Sequence, residues 1–155
     1  MQLRELIDLE RYPLDDPDSA AYLEAVDAAR AGLRSVGCAV IKDLVRPDAV
    51  RRLDEEIVER KHTTHYSTQV MNPYFHTVRN EDFPDHHPVN TFIERSSGFI
   101  PGDSWERGCA TDALFRSPEV ARFIADCLEI DALHCYDDPL AGLTANILDP
   151  GQQFT

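Results

Sequence analysis

The sequence predicts an α+β fold in a single domain, on three observations. Segments with helical spacing of apolar residues open the chain, strand-like runs gather in its second half, and 155 residues suit one domain. Residues 1–60 read as helix, strand, helix, and residues 61–155 as the first strands of a sheet, loops and one further helix.

The elements follow in order. Residues 1–17 contain RYPLDDPD, whose prolines and aspartates favour extended or turning backbone. Asp18 or Ser19 can cap a helix that starts at Ala20, with Leu23, Val26, Ala29 or Arg30, and Leu33 on one face and Gly37 as its stop. CAVIKDL, residues 38–44, reads as a short buried strand. Pro47 suits a first helical turn, after which Val50, Leu53 and Ile57 share one face and charges the other. Residues 61–105 are rich in His, Asn, Thr and aromatics, with Pro73, Pro84 and Pro88 among them, a composition of loops and short strands. TFIERSSGFIPGDSW holds a strand and a turn at Pro101-Gly102. Ser117-Pro118-Glu119 starts a helix: a capping Ser, Pro at the first position and an acid in the first turn. Val120, Phe123, Ile124 and Cys127 or Leu128 make its apolar face. ALHCY then reads as a strand, DDPLAG as a turn and LTANIL as a strand. Asp149-Pro150-Gly151 signals a turn, and Gln152 to Thr155 resemble the opening of another strand.

Charge and composition narrow the function classes. Lys plus Arg is 15 and Asp plus Glu is 28, giving a formal charge of −13, which opposes general binding to nucleic acid or to an anionic membrane. Cys38, Cys109, Cys127 and Cys135 form no C-x-x-C pair, so neither a zinc ribbon nor a thioredoxin motif is supported, and small buried hydrophobes are the simpler role. The N-terminus lacks the apolar stretch of a signal peptide, and no segment approaches the roughly 20 apolar residues of a membrane span. A cytoplasmic protein with reduced thiols is the expectation.

The histidines are the first metal candidates. His62 and His65 lie three apart and would share a helical face, either as ligands beside a nearby acid or as solvated residues favoured by a helix C-terminus. His86-His87 reads as loop, His134 as a hydrogen-bonded strand residue, and His76 is left open. A two-His, one-carboxylate iron site carries His-x-Asp or His-x-Glu, because residues i and i+2 of a strand point to one side. The second residues after the six histidines are Thr64, Ser67, Val78, Pro88, Val89 and Tyr136, so none carries that signature. H-E-x-x-H, G-x-S-x-G, Walker A and G-x-G-x-x-G are also absent.

GCAVIKDLVRPDAVRRLDEEI resembles the opening segment of many Fe(II)/2-oxoglutarate-dependent oxygenases, with QVMNPYF at 69–75 and SSGFIPGDSW at 96–105 following in the expected order. YDDPLAGLTANILDPGQQFT is the most specific piece. It resembles the stretch just before the iron site in a branch that hydroxylates or halogenates amino acids. The resemblance covers nearly all of this chain and the N-terminal half or so of that family's domain. It implies a double-stranded β-helix, or jelly roll, with helices outside, of which this chain carries the outer helices and the first strands. In that branch Trp-His-x-Asp, or His-x-Gly in halogenases, follows the G-Q-Q stretch. ILDPGQQFT is therefore expected to be a hairpin leading toward the metal-bearing strand, with Fe(II) and 2-oxoglutarate not held by residues 1–155 alone.

The resemblance also implies which residues line a pocket for 2-oxoglutarate or a small-molecule substrate. Asn72 and Tyr74 share one face of the segment matching a pocket-lining strand, which Gln69 does not. Thr144 and Asn146 share a face of LTANIL, where a polar pair is costly unless hydrogen-bonded. Asp137 and Asp138 suit an amino-acid ammonium group, and equally suit a turn before Pro139. A partly built sheet leaves unpaired strand edges that invite self-association or a partner chain. A non-catalytic relative that pairs with another chain is the alternative function.

Overall fold

A computed structural model describes residues 1–153. Among these residues five α-helices and three strands give an α+β architecture: α1 Leu3–Leu6, α2 Ala20–Val36, α3 Pro47–Arg60, β1 His65–Met71, β2 Ile93–Ile100, α4 Ala110–Phe115, α5 Pro118–Leu128 and β3 Ala145–Ile147. None of the helices is long and apolar enough to cross a membrane among the described residues.

Helix ends follow local chemistry. The Ser19 hydroxyl accepts the Tyr22 amide at 3.3 Å and starts α2. Gly37, at φ 74°, closes it with its amide on the Leu33 carbonyl. Ser117 does for α5 what Ser19 does for α2, accepting the Val120 amide at 3.2 Å, with Pro118 next. The buried face of α2 runs through Tyr22, Val26 and Ala29, while Leu23 stays 52% exposed. The apolar stripe is thus rotated by one residue from the spacing expectation, because Tyr22 meets Phe123 of α5 edge-on at 5.6 Å. Likewise Ala49, not Val50, is the buried residue of α3's first turn.

Polar bonds lock α2 to α5. The Tyr22 hydroxyl donates to the Asp126 carboxylate, and Arg30 donates to the Asp126 carbonyl from Nε at 2.9 Å and Nη2 at 2.6 Å. Burial, then the bond to Asp126, pushes the Tyr22 hydroxyl up to about 12. On the other side, Glu56 of α3 reaches the start of α4. Its carboxylate accepts the Ala110 amide at 2.6 Å, the Thr111 amide at 2.9 Å and the Thr111 hydroxyl at 2.7 Å. Burial alone would raise the Glu56 carboxyl, but these donors outweigh it and hold it below the ordinary glutamate range.

Two predicted strands are not formed. Cys38, Ala39 and Val40 are exposed, Asp43 takes φ 58°, and pairing near them is confined to one bridge between Ile7 and Val45. An apolar run becomes a strand only when another strand satisfies its backbone, and among the described residues only the stretch at Ile7 lies alongside. ALHCY is irregular and exposed for the same reason. The expectation that the cysteines are small buried hydrophobes holds for Cys127, whereas Cys38 and Cys135 are exposed.

The sheet has the order β1-β2-β3, all antiparallel. Paired residues share a face. Tyr66, Gly98 and Ile147 therefore lie on one side with Ile100 and Ala145, and this side packs on Trp105, Leu143 and Ile57 of α3. Gly98 is required here. A Cβ at this position would come within 2.9 Å of the Tyr66 ring and 2.4 Å of the Thr64 methyl. The ring crosses above Gly98 so that the Tyr66 hydroxyl can donate to Asp149 at 2.8 Å. Gly98→Ala is expected to cost about 1–3 kcal/mol by overpacking, read as a lower urea midpoint; an unchanged midpoint would show that Tyr66 is free to move aside.

The turn at Asp149-Pro150-Gly151 is present, with the Gln152 amide on the Asp149 carbonyl at 3.0 Å. It does not reverse the chain as the hairpin expectation required. The Ser96 amide donates to the Gln153 carbonyl at 2.9 Å, so the backbone rejoins the same edge of β2 beyond the turn. Residues 149–152 are an excursion from the line of β3, and the expected strand start at Phe154 and Thr155 lies outside the described residues.

Candidate functional site

The face of the sheet turned away from the helices is polar. Alternation places His65, Ser67 and Gln69 of β1 on it, with Arg95, Ser97 and Phe99 of β2 opposite them and Asn146 of β3 beside Phe99. His65 stacks on Phe99 with ring centroids 5.6 Å apart. Arg95 reaches the other end, where its guanidinium lies over the Phe75 ring at 5.1 Å and donates toward the Met71 sulfur at 3.3 Å. A small pocket of about 150 Å³ between Arg95, Ile93, Asn72, Pro73 and Phe75 closes that end. Two carboxamides and several hydroxyls on an open surface, with a half-buried cation at its edge, can bind a small molecule rich in carboxylate and hydrogen-bonding groups.

The sequence-derived candidates divide among three places. Asn146 lies on this polar face, and Thr144, just before β3, is exposed. Asn72 and Tyr74 do not share a strand face, because β1 ends at Met71 and Pro73 cannot donate to a ladder. Asn72 is instead 2% exposed and ties the following loop: Nδ2 donates to the Val89 carbonyl at 2.5 Å, and Oδ1 accepts the Tyr74 amide at 3.0 Å and the His76 amide at 2.9 Å. Tyr74 is 54% exposed on that loop. Asp137 is exposed in the irregular stretch after α5, and Asp138 closes its own turn by accepting the Leu140 amide at 2.8 Å. The structure thus brings Gln69, set aside in the strand-face argument, onto the face that holds Asn146. The odd-numbered polar residues of HYSTQVM and of ERSS carried the signal for His65, Ser67, Arg95 and Ser97.

His62 and His65 are not partners. The His62 ring nitrogen meets the Glu59 carbonyl at 2.9 Å, whereas His65 begins β1. Among the described residues, no three His, Cys, Asp or Glu side chains come together as a metal site. Charge is concentrated instead at Asp149, which accepts from Lys61 at 2.6 Å and from Tyr66. The Lys61 bond, then the Tyr66 bond, holds the Asp149 carboxyl below its ordinary range. This pair of bonds pins the turn at 149–152 to the start of β1.

A roomier cleft lies elsewhere, on the helical side. A cleft of about 590 Å³ runs between Leu53 and Ile57 of α3, Leu114 of α4, Ile124 of α5 and the irregular stretch Leu133–Tyr136. Its size is that of a ligand pocket, yet its walls are almost wholly apolar and, apart from His134, hold none of the candidate residues.

No protein-family model, curated protein or solved structure matches this chain.

Proposed function

We propose that the chain forms the N-terminal part of an Fe(II)/2-oxoglutarate-dependent oxygenase that hydroxylates or halogenates a small molecule, an amino acid being the leading class. The observation that supports this reading is the two-sided sheet. One face packs on Ile57, Trp105 and Leu143 at its β2–β3 end, and the other carries exposed His65, Gln69 and Asn146 beside a half-buried Arg95. That is the layering the sequence resemblance implies, with helices outside and a polar wall facing a pocket. The polar wall binds and orients a substrate, and the helical layer behind it keeps its strands in register. None of the six histidines carries the His-x-Asp or His-x-Glu spacing, and Fe(II) is assigned to none of the described residues.

The deciding experiment is anaerobic Fe(II) titration, with and without 2-oxoglutarate, of the longer natural protein whose N-terminal part this reading makes the chain. Stoichiometric iron binding that depends on 2-oxoglutarate is the expected result. Iron binding that ignores 2-oxoglutarate, or none at all, sinks the oxygenase reading. The alternative is then a non-catalytic relative that associates with a partner chain.

A further inference from the structure

We infer that two copies of this chain associate through the outer edges of their β1 strands, pairing antiparallel about Thr68. The Ser96 amide bonds to Gln153, on the β3 side of β2. In an antiparallel ladder a residue's N–H and C=O point to the same neighbour. Ser96 therefore does not exchange hydrogen bonds with its β1 partner Thr68, and the Thr68 N–H and C=O point away from β2. The same alternation turns the backbone groups of Tyr66 and Val70 outward. Their neighbours on either side agree, since the Thr64 and Asn72 amides bond to Lys61 and His76 rather than to β2.

An antiparallel pairing centred on Thr68 sets Thr68 against Thr68 and Tyr66 against Val70, each pair exchanging two backbone hydrogen bonds. Thr–Thr and aromatic–β-branched pairs are among the favourable cross-strand matches. On the opposite face Ser67 meets Gln69 and His65 meets Met71. No like charges oppose one another, because HYSTQVM contains no Asp, Glu, Lys or Arg. That matters in a chain of charge −13, where few surfaces of two copies can approach without repulsion. Six of the seven residues of β1 are exposed, and the strand carries no Pro, Gly or Lys of the kind that blocks edge pairing. The opposite edge, β3, spans only Ala145–Ile147. A two-fold pairing at β1 therefore closes on itself and doubles the three-stranded sheet.

Light scattering on the full chain, eluted from a sizing column over a range of loading concentrations, tests this. The mass is expected to rise toward twice 17.5 kDa with concentration. Thr68→Pro removes an outward amide and no β1–β2 bond, so it is expected to hold the mass at 17.5 kDa with an unchanged far-ultraviolet spectrum. Thr68→Lys, which sets two ammonium groups face to face, is expected to do the same and decides the matter if the proline variant misfolds. A monomer at every concentration overturns the proposal. So does a dimer that survives both substitutions, which would place the interface elsewhere, and so does an open-ended series of larger species.

Discussion

Glu56→Ala is expected to lower the unfolding free energy by about 3 kcal/mol, the scale of losing charge-assisted bonds and leaving half-buried donors unmet. The carboxylate gathers two amides and a hydroxyl at the start of α4. The Cys109 thiol, which takes the Asp112 amide at 3.4 Å and itself bonds to Glu56, is too weak an acceptor to replace the carboxylate. Glu56→Gln retains an acceptor oxygen but turns an NH2 toward one of the donors, so it should recover part of the loss. The pH dependence has a definite sign. The folded carboxyl lies below its ordinary range, and an unfolded glutamate titrates at about 4.3. Its contribution is therefore complete above that value and is lost as pH falls through the lower folded value. Asp112 is shifted the same way: burial opposes ionisation, but the Gly108 amide and Arg116 prevail. Urea unfolding of wild type and Glu56→Ala at neutral and acid pH should show the difference shrinking toward acid. A difference of the same size at both ends would mean that the carboxylate's charge is not what holds α4.

Glu56 also shows where the sequence was silent. In DEEIVERK it is one of several acids on a charged helix, and nothing local separates it from Glu55 or Glu59. Its role depends on α4 arriving from a stretch of chain more than fifty residues away. Helix ends are legible because their chemistry is local: Ser19, Gly37, Pro47, Ser117 and Pro118 act within a few residues of themselves, and all sit at the helix ends where that chemistry places them. Strands were less legible, because a strand is a property of two segments. CAVIKDL and ALHCY have strand composition and no partner alongside, whereas HYSTQVM, placed in a loop-rich region by its neighbours, forms the longest ladder with β2. The candidate site suffered in the same way. Asn72 and Tyr74 were assigned to a strand face, yet Pro73 between them ends the strand and commits Asn72 to the loop. Thr144 and Asn146 depend only on alternation across a short run: pairing places Asn146 on the polar face, and Thr144, just before β3, is exposed.

Trp105→Ala is expected to cost about 3–5 kcal/mol, the usual range for removing a large buried aromatic. Trp105 is 7% exposed and joins Ile100 of β2 to Leu143, with Ile57 of α3 against the cluster and the Arg60 guanidinium over the ring at 5.4 Å. This cluster is the apolar contact between sheet and helices, separate from the larger core around Tyr22, Val26 and Phe123. A cavity here should loosen the sheet from its backing before it disturbs the α2–α5 pair. A second substitution separates volume from polarity. The Trp105 Nε1 is buried with no hydrogen-bond partner among the described residues, and an unmet buried donor costs about 1–3 kcal/mol. Trp105→Phe leaves some space but removes that donor, and phenylalanine still offers a face to Arg60. The two effects oppose each other, so Trp105→Phe should lie within about 1 kcal/mol of wild type while the alanine variant falls far below. Urea unfolding followed by circular dichroism measures both. Equal losses in the two variants would show that the indole N–H is not a burden, and no loss in either would show that the sheet is held to the helices by something other than this side chain.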